Sequence, residues 1–275
     1  MSIAIVTDST CDIPNDLVDR FDIHVVPNIL VIQGQSIEDN RDFSRQDFYT
    51  RLPGMNPLPT TSTASSGKYQ ALFDELLTRN DRVLSILASS HLSGIFNAAS
   101  LAAQPFGDRI RVIDSRQVSL GLGFQVLAAA EAALNGLSIE AIQDIASEIR
   151  TRVRLVAMLD TLEYIRRSGR VSWAQASFGS LLKIKLFVEL KDGLVERLGE
   201  VRTRAKGITR LLEILQTLGS LERLAILHTN AEAEAHQLLE AIHLQLREKP
   251  FVVNVTTVIG THVGPNGLGF VTLLE

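Results

Sequence analysis

Three short polar runs follow apolar, strand-like stretches in the first half of this 275-residue chain. They are Asp8-Ser9-Thr10 after Ile3 to Val6, Ser89 to Gly94 after Val83 to Leu87, and Asp114-Ser115 after Ile110 to Ile113. The carboxyl ends of the strands in an open parallel sheet face one crevice, and ligands bind there. The pattern therefore predicts a parallel α/β sheet whose ligand-binding edge is rich in hydroxyl groups. A fourth run, Thr60 to Thr63, adds Thr61 and Ser62 to this set.

The order of the predicted elements separates the chain into two parts. Strand and helix signals alternate in the first part, which indicates right-handed crossovers between parallel strands. In the second part, Lys191-Asp192-Gly193 joins two strand-like runs, and Asp-Gly is a hairpin turn signature. We therefore predict an α/β protein with an N-terminal, Rossmann-like parallel-sheet domain over residues 1–152 and a C-terminal α+β domain with a mixed or antiparallel sheet over residues 153–275.

Capping signals and apolar runs set expectations for individual elements. Asp12, Ser93 and Asn230 stand where N-caps would begin helices, and Gly169 fits a helix C-cap. The apolar run 23–32, although interrupted by a proline, predicts one buried strand. The remaining expectations are a buried helix over 120–134, helices over 173–181 and 231–247, and strands over 251–259 and 269–274.

The composition excludes several classes of function. Apolar residues make up 45% of the chain and charged residues 21%, which is ordinary for a soluble globular protein, and a net charge of −4 gives no indication of a nucleic-acid partner. No cationic leader precedes an apolar core and no apolar run approaches about 20 residues, so we expect a cytoplasmic protein without a membrane span. Cys11 is the sole cysteine, which excludes an internal disulfide, and no spacing of His and acidic residues predicts a metal site.

The polar runs have a structural and a functional interpretation. Any single Ser, Thr or Asp can cap a helix or fill a turn. Several runs behind several strands favour a neutral crevice that binds a small anion, because hydroxyls and helix N-termini donate hydrogen bonds. His262 lies in a predicted glycine-rich loop between the last two strands, and it either accompanies a sharp turn or donates a hydrogen bond to an anionic head group.

Two further patterns have competing explanations. Ser93 together with His262 is compatible with a serine hydrolase, but residues 89–94 lack the Gly-x-Ser-x-Gly elbow of that class. Arg170 ends a basic group that begins at Arg166, and it either complements the dipole at a helix C-terminus or docks an acidic partner surface. We therefore assign no catalytic residue from the sequence.

Six motifs, in order along nearly the whole chain, resemble the DegV family of bacterial fatty-acid-binding proteins. They are Ile5 to Asp12, Thr61-Ser62, Ser89 to Gly94, Val112 to Ser115, Leu162 to Val171, and Thr261 to Pro265. Each motif is weak by itself, whereas the six in this order are specific. The chain departs from the family pattern at Ala64, where the family often has proline, and at Asn266, where its last loop often has glycine.

The resemblance implies a two-domain α/β protein that buries a long-chain fatty acid between its domains. It implies that Thr61 and Ser93 hold the carboxylate with His262 nearby, and we include Ser62 and Gly94 in the predicted ligand-binding set. A buried carboxylate needs such hydrogen-bond donors, since without them it would shift its pKa and become neutral. No cofactor is expected apart from the bound fatty acid.

The resemblance also implies a possible place in phospholipid metabolism. Some members of the family present the lipid to a separate ATP-binding fatty-acid kinase subunit that makes acyl-phosphate, and the arginine matching Arg170 is implied in that contact. This reading favours a non-catalytic lipid-binding protein and leaves the chain's own enzymatic activity open. The alternatives are an esterase that uses Ser93 and a protein that binds a small polar, dihydroxyacetone-like ligand.

Overall fold

The computed structural model describes residues 2–39, 43–175, 184–242, 246 and 248–275. The chain forms two compact units. The first contains residues 1–31, 35–43 and 61–151, and the second contains residues 32–34, 44–60 and 152–275. The segment 44–60 therefore packs with the second unit although it precedes most of the first in sequence. The description of these parts as two domains with a ligand between them stays a prediction.

The strands, numbered in chain order, are β1 (Ile3–Asp8), β2 (Ile23–Val26), β3 (Ile29–Ile32), β4 (Gln35–Glu38), β5 (Thr60–Ser62), β6 (Arg82–Leu87), β7 (Ile110–Asp114), β8 (Val153–Leu159), β9 (Lys185–Lys191), β10 (Leu194–Val201), β11 (Leu221–His228), β12 (Phe251–Asn254) and β13 (Leu268–Leu274). The α-helices are α1 (Asn15–Arg20), α2 (Arg45–Arg51), α3 (Ser66–Leu76), α4 (Ile95–Ala103), α5 (Ser119–Leu134), α6 (Ile139–Arg152), α7 (Glu163–Ser168), α8 (Ser172–Gln175), α9 (Arg204–Gln216), α10 (Glu232–Glu240) and α11 (Thr257–Val263).

The first unit is built on a parallel sheet, as the sequence predicts. Its four strands run in the order β2-β1-β6-β7, and every neighbouring pair is parallel. Helix α5 packs against β1 and β6 and is buried along most of its length, which confirms the buried helix expected from its apolar faces. A second, three-stranded sheet has the order β4-β3-β5.

The single strand predicted over residues 23–32 is wrong. The run forms two strands that belong to different sheets, β2 in the parallel sheet and β3 in the three-stranded one. Pro27 cannot donate a ladder hydrogen bond, and the Asn28 side chain donates to Asp8 instead of continuing an apolar surface. The chain therefore leaves the first sheet at these two residues.

The second unit is built on a mixed six-stranded sheet, which confirms the predicted architecture. The order is β10-β9-β8-β13-β11-β12, with antiparallel neighbours except for the parallel pair β11 and β12. The predicted hairpin joins β9 to β10 through Asp192 and Gly193, which both have positive φ. Helices α9 and α10 contribute to the core on one face, around Met158 and Phe270, and α7 contributes to a second cluster on the other face, around Leu159 and Leu186.

The predicted helix ends are only partly right. Gly169, with φ 69°, ends α7 as predicted. The predicted N-caps at Asp12, Ser93 and Asn230 are wrong, because α1, α4 and α10 begin after Pro14, Gly94 and Ala231. Asp12 and Asn230 adopt left-handed conformations, with φ 53° and 59°, and so serve turns that precede these helices.

The strand predicted over 251–259 is correct only for its first four residues. Strand β12 ends at Asn254, and the short helix α11 begins at Thr257 and contains His262 in its last turn. The β-branched residues of this segment favour a strand locally, but the backbone around residues 254–256 makes tertiary contacts that start a helix. The described part of the helix predicted over 173–181 is α8, and 176–181 lie outside the described residues. The helix predicted over 231–247 is too long, because α10 ends at Glu240 and residues 241 and 242 are not helical, whereas 243–245 and 247 lie outside the described residues. No helix in the described ranges is both long and apolar enough to cross a membrane.

Candidate functional site

The first polar run is used mainly to join two strands of the parallel sheet. The Asp8 carboxylate is fully buried at the end of β1. One of its oxygens accepts hydrogen bonds from the Thr10 hydroxyl at 2.6 Å and the Asn28 amide at 3.1 Å, and the other accepts from the Ala88 N–H, just past β6, at 2.9 Å. Burial raises the pKa of Asp8 above its ordinary value, and these hydrogen bonds only partly oppose that rise. The carboxylate thus holds the carboxyl ends of β1 and β6 together.

Two serine hydroxyls in these polar runs also form hydrogen bonds to aspartate side chains. The Ser9 hydroxyl donates to Asp39 at 2.8 Å, and the Ser90 hydroxyl donates to Asp114 at 2.6 Å. The Asp114 carboxylate also accepts from the Arg116 N–H at 2.8 Å. For these residues the structural interpretation of the polar runs is correct, since their side chains stabilise the turns at the sheet edge.

Thr61, Ser62, Ser93 and Gly94 belong to two neighbouring segments of the first unit. Thr61 is partly buried and Ser62 exposed on β5, the edge strand of the three-stranded sheet. A Cβ built on Gly94, at the start of α4, would lie 3.8 Å from the methyl carbon of Thr63, the residue that follows β5. The structure therefore brings the end of β5 beside the N-terminus of α4.

Ser93 itself makes a local turn at this place. Its hydroxyl oxygen accepts a hydrogen bond from the Ile95 N–H at 3.2 Å, two residues along the chain. The side chain is partly buried, and its O–H remains a donor group in this arrangement. Hydroxyls and a helix N-terminus in one place provide hydrogen-bond donors for an anion.

His262 lies in the second unit, in the last turn of α11 rather than in a loop. Burial, and to a smaller extent the positive charge of Arg170, lower the pKa of its imidazole to about 4. The imidazole is therefore neutral at pH 7, with one ring nitrogen able to donate and the other able to accept. Whether it converges with Thr61 and Ser93 on one ligand stays a prediction.

Arg170 is exposed immediately after the left-handed Gly169. The Arg170 guanidinium donates to the Ser168 carbonyl, and the Arg170 backbone N–H donates to the Ser168 hydroxyl at 3.2 Å. These contacts stabilise the C-terminal end of α7. They agree with the interpretation of Arg170 as a residue that stabilises a helix end. Its charge also acts on His262, which links the two predicted residues electrostatically within the second unit.

No group of three or more His, Cys, Asp or Glu residues in the described chain is arranged to hold a metal ion.

The family model described as uncharacterised protein, DegV family, matches residues 2–275. The chain belongs to the DegV family. It is 37% identical over 276 residues to the protein DegV of Bacillus subtilis, with 98% of each chain covered.

Solved structures of DegV family proteins resemble the chain over its whole length. A structure from Thermus thermophilus, described for the fatty acid binding of a DegV family protein, is 33% identical and matches with a TM-score of 0.90, covering 100% of both chains. The structure of DegV from Bacillus subtilis, described as a fatty acid binding protein, is 35% identical with a TM-score of 0.87, again covering 100% of both chains. These comparisons confirm the family resemblance and the predicted fold.

One residue that supports the last DegV motif is not among the predicted site residues. Thr229 is buried just past β11, and its hydroxyl donates to the Gly264 carbonyl at 2.8 Å while accepting from the Gly267 N–H at 2.6 Å. The Arg204 guanidinium donates to the carbonyl of Asn266 in the same turn. Thr229 and Arg204 thus fix the turn that follows α11. The only sequence signal for Thr229 is its place as a polar residue at the end of a strand. Many other residues of the chain have the same property.

Proposed function

We propose that this protein binds a long-chain fatty acid. The observation that carries the proposal is the full-length likeness to two DegV structures described as fatty acid binding, at 33% and 35% identity. We extend fatty-acid binding from those two proteins to this chain. It is supported by hydroxyl groups and a neutral histidine in the segments that carry the family motifs.

The proposed carboxylate site comprises Thr61, Ser62, Ser93, Gly94 and His262. The first four come from the adjoining ends of β5 and α4, which offer hydroxyl donors and the N-terminus of a helix. A neutral imidazole contributes a further N–H without the cost of burying a second charge. Such donors stabilise the ionised carboxylate and so set the orientation of the ligand.

The acyl chain provides most of the binding free energy in this proposal. Each methylene removed from water contributes about 0.8 kcal/mol, so affinity should rise with chain length until the apolar site is filled. Val263, which follows His262, packs against the apolar cluster that includes Leu162 and Leu186. This cluster gives the proposed head-group region apolar surroundings in the second unit.

We further propose that the protein presents the bound carboxylate to an ATP-binding kinase subunit, with Arg170 in the contact. The support is the exposed position of Arg170 and its electrostatic link to His262. An arginine held beside a left-handed glycine offers a charge at a defined place on the surface. Arg170→Ala should then weaken acyl-phosphate formation by a reconstituted kinase while leaving fatty-acid affinity unchanged, and an unchanged rate of acyl-phosphate formation would contradict this part.

Native mass spectrometry of the purified full chain tests the binding function. We expect an added mass that is lost on denaturation and that extracts as a fatty acid. A protein that is purified empty and does not take up labelled palmitate would overturn the proposal. Turnover of activated esters that Ser93→Ala abolishes, without bound lipid, would favour the esterase alternative, and a short polar ligand would favour a dihydroxyacetone-like one.

A further inference from the structure

Helix α2 contacts three successive residues that lead into the helix carrying His262. The Arg45 guanidinium donates to the Asn254 carbonyl. The Tyr49 hydroxyl donates to the Val255 carbonyl at 2.9 Å, and the Thr256 carbonyl lies 3.2 Å from the same oxygen. Arg45 and Tyr49 are four residues apart and so share one face of α2. That face therefore holds the carbonyls of residues 254–256, and α11 begins at the next residue.

Gly260 shows how closely the tyrosine approaches α11. A Cβ built on Gly260 would lie 2.1 Å from the Tyr49 hydroxyl oxygen and 2.4 Å from the ring carbon Cε1. Only a residue without a side chain leaves room for the ring at this place. Tyr49 is 1% exposed, so its hydroxyl is shielded from water and bonds to these carbonyls instead. The Tyr49 hydroxyl therefore holds the start of α11, and the Tyr49 ring packs against the side of the helix at Gly260.

The start of α11 depends on such outside support. The helix has seven residues, which is too short to be stable by its own propensity. Its position, and with it the position of the imidazole in its last turn, is determined by the residues packed around it.

We propose that Tyr49 is a positioning residue for His262: its buried hydroxyl and ring hold the first turn of α11 and thereby set where the imidazole lies. The inference rests on the proposed function only in so far as His262 meets the fatty-acid carboxylate. It assigns to segment 44–60, which carries none of the six family motifs, a role in the geometry of the site.

Three forms of the full chain test this proposal: wild type, Tyr49→Phe and the control Tyr69→Phe. Tyr69 is also buried, and its hydroxyl has no hydrogen-bond partner in the described structure, so the control removes the same atom without a lost contact. The titration of His262 is followed by NMR in the ligand-free protein, with the signal assigned by comparison with His262→Gln. Dissociation constants for palmitate are measured in parallel.

Tyr49→Phe should move the His262 pKa upward from about 4, because a loosened helix exposes the imidazole to water. It should weaken palmitate binding by roughly two- to tenfold, the effect of one lost buried hydrogen bond, whereas Tyr69→Phe should leave both quantities unchanged. If Tyr49→Phe lowers the melting temperature but leaves the His262 titration and the affinity at their wild-type values, the tyrosine is merely structural and the proposal is wrong.

Two further outcomes of the experiment also decide between the alternatives. If Tyr49→Phe does not fold, Gly260→Ala disturbs the same contact from the other side, because its added Cβ would meet the Tyr49 ring, and an unchanged His262 titration in that variant would overturn the proposal. If the wild-type protein fails to bind palmitate, the fatty-acid function is wrong, while the ligand-free titration still decides whether Tyr49 positions His262.

Discussion

The ring of Tyr164 lies against the α-carbon of Gly264. A Cβ built on Gly264 would approach the Tyr164 ring carbon Cδ2 to 2.3 Å, and the glycine has φ 82°. Both residues belong to the DegV motifs recognised in the sequence, one at the start of α7 and the other directly after α11. The two motifs, about a hundred residues apart in the chain, therefore meet in one packing contact that also adjoins the helix bearing His262.

Gly264→Ala should destabilise the protein by about 3 kcal/mol or more, because the new methyl group meets the Tyr164 ring and the backbone is strained for an L residue. Gly219→Ala is a control for the positive φ: its φ of 79° is close to that of Gly264, but nothing lies within 4 Å of the added carbon. The control should cost about 1 kcal/mol. Urea denaturation measures both, and equal losses would show that Tyr164 does not limit this position.

Thr229→Val should destabilise the protein by about 2 kcal/mol, because it leaves the Gly264 carbonyl and the Gly267 N–H without the buried hydroxyl that joins them. Thr272→Val is the control. Thr272 is equally buried, and its hydroxyl has no hydrogen-bond partner in the described structure, so the change should be neutral or stabilising. Equal free energies of unfolding for the two variants would contradict the role of Thr229.

Stability should fall as the pH is lowered through the titration range of His262. The pKa of this histidine is lowered from 6.5 to about 4 in the folded chain, so between these values the unfolded chain binds more protons. The stabilising contribution is therefore complete above pH 6.5 and is lost progressively toward pH 4. His262→Gln should flatten this part of the pH profile, measured by urea denaturation. A variant profile that matches wild type would disprove the buried, neutral state.

Thr61→Val and Ser93→Ala should each weaken fatty-acid binding about tenfold, since each removes a hydroxyl donor from the proposed carboxylate site. Thr61→Val keeps the side-chain shape, so its effect reports the hydroxyl alone. Ser36→Ala, on β4 at the opposite edge of the same three-stranded sheet, serves as the control and should bind as wild type does. Isothermal titration with palmitate measures the affinities, and wild-type affinity in both site variants would place the carboxylate elsewhere.

Local sequence signals predicted well those features that depend on the backbone nearby. The Asp192-Gly193 turn and the Gly169 helix end need positive φ, which these residues adopt readily, and both were correctly predicted. The parallel sheet followed from strands alternating with helices. The wrong N-caps at Asp12, Ser93 and Asn230 arose because Ser, Thr, Asn and Asp serve turns as readily as they cap helices.

The candidate site was predicted as a set of residue types and motifs, without its geometry. The DegV motifs pointed to Thr61, Ser93 and His262, and the structure places the first two on adjoining segments of one unit. It also shows that most of the other hydroxyl runs hold internal hydrogen bonds, as Asp8 does between β1 and β6. A sequence does not distinguish these uses, because both require the same donors and acceptors.

The sequence by itself determined the family, the two types of sheet and the residues from which a head-group site can be built. The tertiary structure was needed to show that residues 257–263 form a helix and that Tyr49 and Thr229 hold the segments around it, and burial in that structure lowers the pKa of His262. Helix propensity and turn chemistry act over a few residues and are written in the local sequence. Burial and the hydrogen bond from Tyr49 to Val255, 206 residues away, exist only once the chain has folded.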